Sequence, residues 1–116
     1  MGNKQNILAE RVAQFVLNCS EVELRELTVA TVAETFRVDR SHLSREFSSN
    51  IGCTLCRFIL KEKMFRAATL LSRPSGISIL ELSDKLGFFS SNHFSRVFKE
   101  SFGILPSKYR EYKKRA

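Results

Sequence analysis

Two arginines, Arg45 and Arg96, stand fifty-one positions apart in the same setting. Ser44-Arg45 leads to Phe47 and Gly52, and Ser95-Arg96 leads to Phe98 and Gly103. A guanidinium fork suits guanine O6/N7 or a phosphate, and Asn92, beside the second copy, can pair with adenine. His42 and His93 hold equivalent positions just before the apolar Leu43 and Phe94. They offer either a phosphate or base contact or, as the favoured reading, an imidazole at the edge of the core. Cys53-Thr54-Leu55-Cys56 is a C-x-x-C where a helix would begin, so thiolate chemistry is conceivable there. It has no second C-x-x-C and no His pair at ligand spacing, and with Cys19 or His42 it makes only a weak zinc signal. Small buried hydrophobes are the default reading of the three cysteines.

No glycine-rich phosphate loop and no nucleophile–base constellation accompanies these groups, so an enzyme is not expected, nor a metal or cofactor. The 116 residues, 43% of them hydrophobic, suffice for one ordinary domain with a Phe-rich core: ten Phe and no Trp. No apolar run reaches membrane-span length and no signal segment opens the chain, so a cytoplasmic, nucleoid-associated protein is expected. Met1-Gly2 suggests acylation, but Asn6 stands where Ser or Thr is required. The formal charge of +7 is unevenly spread. Arg57, Lys61, Lys63, Arg66 and Arg73 oppose only Glu62, and Lys108, Arg110, Lys113, Lys114 and Arg115 oppose only Glu111. Two basic segments of this kind point to a polyanion, most often nucleic acid, with a merely solvated surface as the alternative.

The elements that must position these groups follow from periodicity, and all are helices. Residues 6–19 put Ile7, Leu8, Val12, Phe15 and Val16 on one face. Ser20 with Glu23 caps a short turn over 21–26. Thr28 opens a helix with Val29, Val32, Ala33 and Phe36 inward, Arg37-Val38 turns, and Asp39 caps a second helix from Arg40 to about Ser49. The grammar then repeats. Ser78 and Glu81 form a capping box, Ile79, Leu82, Ser83 and Leu86 face inward, Gly87 turns, and Ser90 caps a helix from Ser91 to Phe102 that ends at Gly103. Thr28 and Ser78 lie fifty apart but Leu43 and Phe94 fifty-one, so the second copy has one extra residue in its turn. Small Ala33 and Ser83 suit the close crossing of a helix-turn-helix.

Between the copies, residues 54–71 read as one helix with Leu55, Phe58, Ile59, Glu62, Phe65, Arg66, Thr69 and Leu70 recurring at threes and fours. Eighteen residues span roughly 27 Å. Such a spacer, with the widths of the subdomains, is compatible with two recognition helices about 34 Å apart, one turn of duplex. The expected fold is thus all-α: two helix-turn-helix subdomains, 6–52 and 76–116, joined by a linker helix over 53–72, about seven helices in one domain of 1–116.

Over roughly residues 6 to 112 the chain resembles the DNA-binding domain of the arabinose-regulator (AraC/XylS) class of bacterial transcription factors. The resemblance rests on Leu43-Ser44-Arg45 with Phe47 and Gly52, on Phe58-Ile59, and on Ala67 to Leu71. It is strongest in Ile79 to Leu82, Gly87-Phe88, Phe94 to Lys99, Phe102-Gly103, Pro106 and Tyr109-Arg110. Lys63 and Ser83 depart from the usual Arg and Ala, and residues 20–27 are longer than the common connection. The resemblance implies two recognition helices entering successive major grooves of double-stranded DNA.

The face opposite Leu43 and Phe47 carries Arg40, Ser41, Ser44 and Arg45 toward bases, and the second helix carries Ser91, Asn92, Ser95 and Arg96. Ser48, Arg57, Lys61, Lys63, Lys99 and Lys108 are the expected phosphate contacts. So many short hydroxyls imply dependence on DNA shape. The expected function is sequence-specific regulation of transcription, as an activator at an asymmetric site, with RNA polymerase as a further partner. The protein would be a monomer on DNA if complete, with dimerisation open to it as part of a longer chain. The competing expectation is an interaction module whose slightly acidic first 27 residues dock on RNA polymerase or a sensory domain, DNA contact being secondary.

Overall fold

The computed structural model describes residues 4–74 and 76–115, and the side chains from Leu8 to Lys114 within them. The described residues form eight helices and no strand. They are α1 (Lys4–Asn18), α2 (Glu21–Arg25), α3 (Val29–Phe36), α4 (Arg40–Ile51), α5 (Leu55–Ser72), α6 (Ile79–Lys85), α7 (Ser91–Phe102) and α8 (Pro106–Arg115). The chain divides into two compact units, residues 1–62 and 63–116, with the division inside α5.

The first unit is built on α1 and α4, with α3 against α4. Ala9, Val12 and Val16 of α1 are wholly buried with Leu24, Val32, Leu43 and Phe47. Phe15 meets Phe36 edge-on at 5.5 Å, and Phe47 meets Phe58 at 5.3 Å. Ile7 of the expected α1 face lies outside the described side chains. Capping fixes where each helix starts. Ser20 forms a reciprocal box with Glu23, and Thr28 one with Thr31, leaving few orphan amides in short helices.

In the second unit the same devices recur. Ser78 and Glu81 close a capping box around α6. Phe94 and Phe98 of α7 are wholly buried in an aromatic chain running through Phe88, Phe102 and Tyr109, with neighbouring centroids 4.7–5.8 Å apart. Ser83 is buried, and its hydroxyl donates to the Leu80 carbonyl at 2.8 Å, so a polar side chain takes the small-residue site at no unsatisfied cost.

The all-α expectation of about seven helices agrees with the eight described, and the basic segment near residue 110 forms α8, opened by a buried Pro106 with the Tyr109 amide bonded to the Leu105 carbonyl. Proline at the first helical position gives up no hydrogen bond and presets φ. The linker helix contributes buried residues to each unit. Leu55 and Ile59 join the first core, but beyond residue 62 the buried residues are Met64, Ala67, Ala68, Leu70 and Leu71, whereas Phe65 is 62% exposed and Thr69 is exposed. Each half of α5 serves a different unit.

Candidate nucleic-acid interface

The helices that carry the candidate contacts are positioned by two matching turns. At the end of α3, the Arg37 amide donates to the Glu34 carbonyl at 3.1 Å and the Val38 amide to Ala33 at 3.0 Å. At the end of α6, Gly87 donates to Asp84 at 3.0 Å and Phe88 to Ser83 at 2.9 Å. Both are the paired bonds of a Schellman stop, with a left-handed residue at its centre. That residue is Arg37 (φ 55°) in the first copy and Gly87 (φ 81°) in the second. Asp39 then caps α4, its Oδ2 accepting from the Ser41 and His42 amides at 3.0 and 3.1 Å. Ser90 caps α7 through a bond from the His93 amide to its Oγ at 3.1 Å. Both α4 and α7 end on left-handed glycines, Gly52 and Gly103.

On α4, Arg40, Ser41 and Arg45 are exposed and Ser44 and Ser48 half-buried, while Leu43 and Phe47 are sealed in the core. Arg40, Ser41, Ser44 and Arg45 together line one shallow surface depression of about 390 Å³. On α7, Asn92, Arg96 and Lys99 are exposed, Ser91 and Ser95 half-buried, and Phe94, Val97 and Phe98 buried. Each helix therefore turns one polar, hydrogen-bonding face outward from an apolar anchor.

Of the basic side chains on α5, Arg57 and Lys61 are exposed one turn apart, and Lys63 and Arg66 are half-buried. The Lys63 ammonium sits 5.8 Å from the Phe88 ring centroid, a cation–π distance. Lys108 lies 3.7 Å from the Glu111 carboxylate, both well exposed, a pair of little energetic weight. The structure also gathers Arg73, Arg110, Lys113 and Lys114 around a cavity of about 490 Å³, and the Arg110 guanidinium donates to the Ile77 carbonyl. That basic recess escapes a linear reading because its walls come from the end of α5 and from α8, far apart in sequence.

His42 and His93 are both exposed, and His93 lies edge-on to Phe88 at 5.5 Å, at the rim of the second core. Of the cysteines, Cys19 is buried as expected, but Cys53 is half-buried and Cys56 exposed, so the default of three buried thiols fails for this pair. They flank Leu55, the first residue of α5, whose side chain is the one buried in the core there. Among the described residues no group of three or more His, Cys, Asp or Glu side chains is placed to hold a metal ion. No described helix is long and apolar enough to cross a membrane.

A family model described as a helix-turn-helix domain matches residues 32–112. The chain belongs to the AraC/XylS family. It is 37% identical over 112 residues to the HTH-type transcriptional regulator GbdR of Pseudomonas aeruginosa, a match covering 96% of this chain and 29% of GbdR. It is 33% identical over 107 residues to the probable transcription factor PqrA of Proteus vulgaris, covering 90% of this chain and 87% of PqrA. Among solved structures it superposes with a TM-score of 0.77 and 25% identity on the DNA-binding domain of AdpA, a global transcriptional factor crystallised with a target DNA, covering 92% of this chain and 94% of that one. The chain is an AraC-type helix-turn-helix domain of DNA-binding transcription regulators, and that family is not one of enzymes.

Proposed function

We propose that this AraC-type domain binds an asymmetric duplex site by placing α4 and α7 into successive major grooves, and that it activates transcription. The observation that carries the reading is the matched presentation of Arg45 and Arg96, exposed on helices that are capped, stopped and anchored in the same way. Around that shared frame the outward residues differ: Arg40, Ser41 and Ser44 in one copy, Ser91, Asn92 and Ser95 in the other. Two different faces fit a non-palindromic site. In this reading Ser48, Lys99, Arg57 and Lys61 serve as phosphate contacts, and basic groups of α8 including Lys108 add salt-dependent affinity. Lys63 and Arg66, half-buried in the second unit, offer further positive charge for the same role.

For an activator the further partner is RNA polymerase. The support is chemical: α1 and α2 expose Leu17 and Val22 beside Glu21, Glu23 and Glu26, an apolar and acidic surface unsuited to DNA.

The test is to select tight duplexes from a random 30-base-pair pool and titrate Arg96→Ala against them. The expected loss is about 1–3 kcal/mol of specific binding, with preference relaxed at one base pair. Unchanged affinity and preference in Arg96→Ala would falsify the assignment of α7 as a base-reading helix.

A further inference from the structure

The extra residue of the second copy can be identified. Ala33 and Ser83 accept equivalent turn bonds from Val38 and Phe88, fifty apart, whereas the caps Asp39 and Ser90 are fifty-one apart. The residue without a counterpart is Phe89, and it is 98% exposed.

A hydrophobic residue immediately before an N-cap ordinarily packs on the fourth residue of the helix as a staple. In the first copy Val38 holds that place and packs against the core that buries Leu43. In the second copy the place belongs to Phe89 and the fourth helical residue is Phe94. Yet Phe88, one position earlier, meets Phe94 at 5.3 Å and His93 at 5.5 Å. Phe88 has taken the staple, and Phe89 is left with a whole aromatic ring in water. Phe89 directly precedes Ser90, the N-cap of α7, and so lies two and three residues before Ser91 and Asn92. In helix-turn-helix proteins that end of the recognition helix meets base edges.

We propose that Phe89 is a specificity-determining residue that packs on the 5-methyl group of a thymine at the edge of the α7 half-site. The inference rests on the proposed docking of α7 in a major groove and gives that face an apolar reader beside its polar ones. A phenyl ring is a recognised partner for the thymine methyl, the one apolar group a base pair presents in that groove. Burial of the ring is favourable only once DNA covers it, so this contact adds affinity without adding a phosphate contact. The first copy has no equivalent, so the methyl contact belongs to one half of the site alone.

The experiment uses the 116-residue chain and a duplex selected by it, with each thymine of the site replaced in turn by uracil, which removes only the methyl. One such replacement is expected to weaken the wild-type protein about three- to fivefold, the value of roughly one buried methyl group. Phe89→Ala should bind the unmodified site several-fold more weakly, with the same salt slope, since no phosphate contact is lost. In that variant the critical thymine-to-uracil change should have no further effect, the non-additivity expected of direct contact. Thermal unfolding of Phe89→Ala should match wild type, because the ring touches no core. If Asn92→Ala and Arg96→Ala lose specific binding while Phe89→Ala keeps wild-type affinity and methyl sensitivity, the inference is overturned and the α7 reading stands. If all three variants bind as wild type does, the docking of α7 fails and this inference with it.

Discussion

The duplicated turn makes Arg37 and Gly87 controls for one another. Arg37 is an exposed arginine at φ 55°, ψ 45°, closing α3, and its counterpart closing α6 is a glycine at φ 81°. A side chain in the left-handed region brings its Cβ against the following carbonyl, at about 1–2 kcal/mol for an ordinary residue. Arg37→Gly relieves that strain but returns roughly 0.5–1 kcal/mol through the greater freedom of glycine in the unfolded chain. The net expectation is a gain of about 0.5–1 kcal/mol, or an upward shift in Tm of roughly 2–5 °C for a domain of this size. Gly87→Ala should shift stability the other way by at least about 1 kcal/mol, since alanine must accept the same backbone. Urea unfolding followed by circular dichroism, without DNA, measures both. The turn bonds involve only backbone amides, so nothing else at the stop need change. Destabilisation by Arg37→Gly, or a Gly87→Ala variant as stable as wild type, would refute left-handed strain as the difference between the two turns.

Two further outcomes follow from single side chains. Glu46 holds the place where the second copy buries Val97, and its Oε1 is buried without a hydrogen-bond partner. Glu46→Val should therefore stabilise the protein by about 1 kcal/mol, read as a higher urea midpoint with an unchanged slope. In the capping boxes, the Ser20 amide and then its hydroxyl hold the Glu23 carboxylate below its usual value of 4.5, and Ser78 does the same to Glu81. A carboxylate depressed on folding contributes stability that is complete above 4.5 and is lost as pH falls through the lower, folded value. Glu81→Gln keeps an acceptor for the box but not the titration, so its stability should vary less than wild type's as pH drops below 4.5. An identical acid limb in the variant would show that the box carries no such linkage.

Much of the fold was legible because its signals are local. Ser20, Thr28, Asp39, Ser78 and Ser90 each cap the helix expected of them, since a cap is a bond between residues two or three apart. The anchors Leu43, Phe47, Phe94 and Phe98 are buried as the repeat required. The outward groups Arg45, Asn92 and Arg96 are exposed because the same spacing that buries the anchors turns them to water. Less local features were not legible. That Cys56 is exposed while Cys19 is buried, and that Arg73, Arg110, Lys113 and Lys114 surround one recess, depends on packing between segments distant in the chain.

The sequence by itself determined that the chain is helical, that a capped and anchored helix-turn-helix occurs twice, and that the second copy has one residue more. Those are matters of backbone preference and spacing along the chain. Which residue was extra, and what became of it, was decided by tertiary packing. Two adjacent phenylalanines compete for one staple position on Phe94, and only the folded core shows that Phe88 holds it and that Phe89 is turned out to solvent.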